Sequence, residues 1–169
     1  MSNLRLINET SFSAVSSATV TDVFSSDFDI YKITISDLDI PLGYITWQMI
    51  NSSGSTITTA SYDRAGLFMH STGAFEEGKT VNAIYQNYLT NYDAVANYYG
   101  GVNIWLFNPY SSSSYTFSLV QGTSQINKFT SSKSIGVLKQ TSSITGFKLI
   151  ATSGNTTGVV RTYGLRVDS

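Results

Sequence analysis

The chain has 169 residues, 41% hydrophobic and only 12% charged, with ten Lys and Arg against eleven Asp and Glu for a net charge of −1. That length suits one domain, and the near-neutral balance lacks the clustered cations that nucleic-acid binding needs. With no cysteine, disulfides, thiolate nucleophiles and Cys-based zinc sites are excluded.

The start of the chain, residues 1–9, lacks the basic lead and apolar run of a secretory signal, and no stretch of about 20 apolar residues occurs further on. Residues 1–9 are therefore expected to form an N-terminal arm on a single domain spanning 1–169, made in the cytoplasm and not inserted in a membrane. Two short strands are expected at 11–15 and 19–24. Residues 31–36, Tyr-Lys-Ile-Thr-Ile-Ser, alternate apolar with polar, as a half-buried strand does. Further strands are read at 43–50, 55–62, 102–108, 115–120, 134–138, 144–152 and 158–167, separated by turn-rich pieces such as Asn51-Ser52-Ser53-Gly54 and Ser153-Gly154-Asn155. Abundant Ser and Thr with 13% aromatics, eleven of them Tyr, suit such strands. The expected fold class is all-β: a single jelly-roll-like sandwich of about 8–10 strands with at most one short helix. In 158–167 either face could point inward. In 80–95, Val81, Ile84, Tyr85 and Tyr88 fall at helical spacing, but a long irregular excursion is the preferred reading.

Catalytic patterns are thin. His70 is the sole histidine, and neither a Gly-x-Ser-x-Gly elbow nor a His-Glu-x-x-His helix occurs, so His70 reads as structural. The pairs Asp27 and Asp29, Asp37 and Asp39, and Glu76 and Glu77 formally permit acid–base or calcium chemistry, but Asp and Glu in such places more often cap turns. Gly73-Ala74-Phe75-Glu76-Glu77-Gly78-Lys79-Thr80 satisfies the phosphate-loop pattern G-x-x-x-x-G-K-[ST]. Two glutamates inside it would repel the phosphates, and the chain lacks alternating strands and helices, so a turn is preferred there. No catalytic residue, cofactor or metal is expected. The recognition-like composition lies between Tyr85 and Tyr99: Tyr85, Tyr88, Tyr92, Tyr98 and Tyr99, with Trp105 just beyond, offer rings that stack on sugars or partner side chains. A tyrosine-lined subunit interface or plain core packing is the competing reading.

The pattern Ile104-Trp105-Leu106-Phe107-Asn108-Pro109-Tyr110, a serine-rich turn into Tyr115-Thr116-Phe117, then Ile144-Thr145-Gly146-Phe147 and Val160-Arg161-Thr162-Tyr163-Gly164, resembles a jelly-roll-like domain of virion structural proteins of tailed bacteriophages. Phe12-Ser13-Ala14-Val15-Ser16-Ser17, followed by Phe24 and Tyr31-Lys32-Ile33, resembles its opening. The resemblance implies a virion-surface protein made in the host cytoplasm: a capsid decoration or cement protein, or alternatively a tail-fibre or receptor-binding, carbohydrate-binding module. It implies the major capsid protein or tail components as partners, a homotrimer, and a host surface glycan as a further ligand. Asn108-Pro109 is expected to end a strand, and Gly146 and Gly164 to sit where a side chain would clash.

Overall fold

Side-chain alternation divides this molecule into an inside and an outside. The computed structural model describes residues 3–40, 43–87, 89, 100–125 and 129–165. Among them are eleven strands and no helix: β1 (Leu4–Val15), β2 (Ser17–Val20), β3 (Ile30–Asp39), β4 (Ile45–Asn51), β5 (Tyr62–His70), β6 (Phe75–Ala83), β7 (Gly100–Phe107), β8 (Thr116–Gln125), β9 (Phe129–Leu138), β10 (Ile144–Ala151) and β11 (Thr156–Leu165). All named pairings are antiparallel, in one eight-stranded sheet of order β1-β11-β3-β7-β8-β9-β5-β6 and one three-stranded sheet of order β2-β10-β4.

The first half of the large sheet, β1-β11-β3-β7, shares one core with β2-β10-β4, and Gln86 bridges Trp47 on the free side of β4. That order, with a one-residue rudiment of a fourth strand, is a jelly roll of two Greek keys. The fold class is thus the all-β sandwich expected from the sequence. The rest of the large sheet, β8-β9-β5-β6, extends beyond the small one.

Several local assignments change. Residues 4–9, read as an arm, are the first half of β1, paired with β11 from Leu4↔Leu165 to Glu9↔Arg161. Of residues 55–62, read as a strand, 55–61 form a loop held by the Thr56 bridge to Ile50, and Tyr62 opens β5. β5 and β6 were not legible as strands because β5 turns Arg64 and His70 inward, while β6 exposes most of its side chains. Residues 80–83 belong to β6, so no helix starts there; residues 88 and 90–95 lie outside the described residues. The ambiguity of the last strand resolves clearly: Gly158, Val160, Thr162 and Gly164 face inward, leaving Arg161, Tyr163 and Leu165 half-buried on the outside.

The core is an aromatic chain bounded by aliphatics. Tyr31 meets Phe24 edge-on at 4.8 Å and Phe28 at 5.8 Å between ring centres, Phe24 stacks on Phe147 at 6.0 Å, and Trp47 meets Phe147 edge-on at 6.4 Å. Such pairs contribute beyond the area they bury. β7 ends at Asn108, which adopts a positive φ of 55° and donates its N–H to Asp29 O at 2.8 Å. The Pro109 carbonyl accepts from Ile144 N, so Asn108-Pro109 does end the strand.

Buried Tyr62 ties the loop at 55–61 to β4. Its hydroxyl donates to Ile57 O and accepts from Met49 N, both at 3.0 Å. Burial favours the neutral phenol and pushes its pKa from 10.0 up to about 12. A raised pKa on an acid means that the stabilisation is complete below pH 10.0 and is lost as pH climbs through about 12. The loss amounts to about 2–3 kcal/mol. Tyr62→Phe is expected to cost about 1–3 kcal/mol at neutral pH, because the Met49 N–H is left without its acceptor. The same variant flattens the alkaline fall in stability, leaving mainly the smaller contribution of Tyr31, whose pKa burial also raises. Urea unfolding followed across pH 9–12 for both proteins reads this directly; an equally steep fall in Tyr62→Phe would show that Tyr62 is not its source.

Candidate functional site: the outer face of the large sheet

The extension of the large sheet inverts the usual pattern. In β8 the buried positions are Thr116, Ser118, Val120, Gly122 and Ser124, while Phe117 and Leu119 are exposed. In β9 the buried set is Thr130, Ser132, Ser134, Gly136 and Leu138, with Phe129 and Ile135 exposed. Small inner residues are required because the chain near Gln86 and Leu89 lies directly on them. A Cβ on Gly136 would sit 2.6 Å from the Gln86 amide, and Ser132 Oγ donates to Leu89 O at 3.2 Å. Gln86 in turn donates to Asp63 O and Val137 O, while Gln48 donates to Ile84 O. Backbone packed this closely leaves no room for large side chains, which therefore appear on the other surface.

That outer surface can be read row by row from the strand register. One row runs Tyr163, Lys32, Trp105, Leu119, Ile135, Ala65, Lys79 across β11, β3, β7, β8, β9, β5 and β6. The next pairs Phe107 with Phe117, and Phe117 with Val137. Leu119, Ile135, Ala65 and Lys79 of the first row, with Phe107, Phe117, Val137 and Val81, line an apolar hollow of about 580 Å³. Ile135 is 58% exposed, and Phe117 and Leu119 are each 46% exposed. Charged groups border the hollow: Lys79 closes one side, and Asp63 binds Lys139 at 2.9 Å, while Lys32 reaches over the Trp105 ring at 5.7 Å in the strands beyond it. The Asn82 N–H and then Lys139 hold the Asp63 carboxyl below its ordinary pKa.

On the other side of the Trp105 row the character reverses. A continuous register links Glu9, Arg161, Thr34, Asn103, Gln121, Lys133, Leu67 and Glu77 across all eight strands. Arg161 Nε donates to Glu9 at 2.6 Å and its Nη1 to Ser36 Oγ at 3.2 Å. Thr34, Asn103, Gln121 and Lys133, with Ser36, Asp37, Thr123 and Ser131, line a second hollow of about 540 Å³.

The sequence candidates fall in scattered places. Tyr88, Tyr92, Tyr98 and Tyr99 lie outside the described residues. Tyr85 is half-buried with its ring 4.8 Å from the Arg64 guanidinium, and its carbonyl accepts from Arg64 Nη1. Trp105 stands on the outer face between the two hollows, opposite buried Ile104 and Leu106. His70 is buried at the end of β5 with Nε2 3.2 Å from Glu76 Oε1, close enough for an ion pair but not aligned as a hydrogen bond. Glu76 and Glu77 point to opposite faces of β6, across from Phe68 and Leu67 respectively. Asp27 and Asp29 lie in the β2–β3 connection, where Asp27 N donates to Ser25 Oγ. Asp37 sits at a positive φ of 52° in a β3 irregularity, and Asp39 uses its carbonyl to accept from Thr156. Among the described residues, no three His, Asp or Glu converge as a metal site.

The phosphate-loop match has a different geometry from the one its chemistry requires. Gly73 forms the hairpin turn, donating to His70 O, and Phe75 to Thr80 form the first part of β6 paired with β5. No helix N-terminus follows, and the amides of this stretch lie along an extended edge strand instead of converging on one point as a phosphate cradle requires.

The apolar outer patch was missed by sequence reasoning, which takes the larger residues of an alternating strand as the buried set. The available signal was the companion set of Ser, Thr and Gly in both β8 and β9, which marks close backbone approach.

No protein-family model and no curated protein sequence matches this chain. Among solved structures, it is similar to alginate lyase Aly36B at 9% identity, covering 95% of this chain and 82% of that one with a TM-score of 0.34. A mutant of the same lyase in complex with alginate trisaccharide aligns at 7% identity over 86% and 73% of the two chains, TM-score 0.33. The catalytic domain of PdAgaC aligns at 8% identity over 98% and 75%, TM-score 0.31.

Proposed function

We propose that this chain is a structural protein of a tailed-bacteriophage virion, a decoration or cement protein that docks on the major capsid protein through the apolar half of its outer sheet face. The observation that carries the docking is the hollow formed by Val81, Phe107, Phe117, Leu119, Ile135 and Val137 within a ring of Lys and Asp. An apolar centre with a charged rim is the anatomy of a protein–protein contact, and a contiguous exposed apolar patch marks one. The virion setting rests on the sequence resemblance around Trp105 to Tyr110 and Val160 to Gly164. A homotrimer, implied by the same resemblance, is part of the proposal.

The test is attachment of purified protein to phage heads lacking it, followed by co-sedimentation. Leu119→Lys with Ile135→Lys places two charges at the centre of the contact, and stranding a charge there costs several kcal/mol. Both side chains are exposed in the isolated chain, so folding is expected to be unchanged while attachment falls at least about tenfold. Undiminished attachment of the folded double variant would overturn the docking surface. Binding of the unaltered protein to tails and not heads would favour the tail-module alternative.

A further inference from the structure

We propose that the polar hollow beside Trp105 is a binding strip for a neutral, hydroxyl-rich oligosaccharide. It lies towards the Gly100–Gly101 end of β7, whereas the apolar hollow lies towards Phe107. The two centres are displaced along the strands by several residues at about 3.3 Å each. A partner seated on the apolar end can therefore leave the polar end open, and the strip does not depend on the docking proposal.

The chemistry of the floor selects the ligand class. Thr34, Asn103, Gln121 and Lys133 stand side by side on four adjacent strands, and Thr123 and Ser131 form a second row beside them. Neighbouring strands are about 4.8 Å apart, so hydrogen-bonding groups repeat along the strip at close to the size of a pyranose unit. Gly101 pairs with Thr123, and a Cβ there would meet nothing nearer than Ile35 O at 3.6 Å. Its missing side chain thus leaves a dip in the floor.

Those groups are also available. Thr123 and Ser131 turn their hydroxyl protons to Gly101 O and Gly122 O. By contrast, the Asn103, Gln121 and Lys133 side chains make no hydrogen bond or ion pair among the described residues. An amide presents a donor and an acceptor together, which suits adjacent sugar hydroxyls.

Other ligand classes fit less well. Among the described residues, the strip carries one free cation, Lys133, and one anion, Asp37, which together give no positive field of the kind a phosphate or a polyuronate would need. Among the described lining residues Met69 is the one large hydrophobic side chain that is not buried, Ile35 and Val102 being turned into the core, so a peptide side chain would find no apolar anchor pocket in it. Trp105, two residues from Asn103 on the same face, supplies a ring at its edge.

The experiment is an array of neutral hexose oligosaccharides and their uronate counterparts probed with the full chain, followed by calorimetric titration of the strongest neutral binder. Binding of a neutral oligosaccharide is expected, with affinity reduced at least about tenfold in Asn103→Ala/Gln121→Ala and melting temperature unchanged. Leu119→Lys/Ile135→Lys is expected to keep the affinity, so failure of capsid docking and failure of glycan binding are distinguishable. Silence of the array, binding confined to uronates, or neutral binding indifferent to Asn103→Ala/Gln121→Ala would each overturn the proposal.

Discussion

Trp47→Ala is expected to lower the free energy of unfolding by about 3–5 kcal/mol, the range for deleting a large aromatic from a packed core. Trp47 is 1% exposed in the middle of β4, paired with Leu149 and set edge-on to Phe147. Its backbone also bonds in both directions to Gln86, at 2.9 Å each way. A collapse of the cavity would therefore reach the chain that covers β8 and β9. The indole Nε1 is buried without a partner among the described residues, so Trp47→Phe removes an unsatisfied donor together with some volume and is expected to cost much less than the alanine variant. Trp105→Ala provides the contrast. That ring is half-buried on the outer face under Lys32, and its loss is expected to cost about 1 kcal/mol. Urea denaturation of the three variants gives the order; a larger loss at Trp105 than at Trp47 would contradict the placement of the two rings.

Gly146→Ala should be as damaging as a far larger substitution elsewhere. A Cβ at this position would lie 2.3 Å from Val20 O and 3.0 Å from Thr21 Cα. Both obstacles are backbone, so no side-chain rotation relieves them. β2 must move off β10, where Val20 pairs with Phe147, and overpacking of this kind costs about 1–3 kcal/mol or more. Gly101→Ala meets only an ordinary van der Waals contact, Ile35 O at 3.6 Å, and is expected to stay within about 0.5 kcal/mol of the parent. Equal melting temperatures for the two alanine variants would show that β2 does not close on β10 as described.

The contrast between these glycines shows how far the sequence could be read. Gly146 and Gly164 were recognisable as close-approach positions from their setting among apolar strand residues, and the structure places Val20 O and the Phe28 ring against them. Gly122 and Gly136 carry the same meaning but sit in Ser- and Thr-rich strands, where nothing local signals that Leu89 and Gln86 lie overhead. β3 and β8 announced themselves by period-two alternation. β6 did not, because an edge strand covered on neither face has no need of an apolar side, and Phe75-Glu76-Glu77-Gly78-Lys79 accordingly mimics a phosphate loop. The candidate site shows the same limit. Trp105 could be placed opposite Ile104 and Leu106 by parity alone, but its neighbours could not be named.

By itself the sequence determined the all-β class, most of the strands that build the jelly roll, and the turn at Asn108-Pro109, because these depend on side-chain period and backbone preference within a few residues. Only the tertiary structure decided which face of β8, β9 and β11 is buried and which residues form the two hollows. Lys32, Trp105, Leu119 and Ile135 come from four strands spread over more than a hundred residues and meet through cross-strand register. Register is a property of the whole sheet. Here it is set by a long-range event, the packing of the chain around Gln86 and Leu89 on the small residues of β8 and β9.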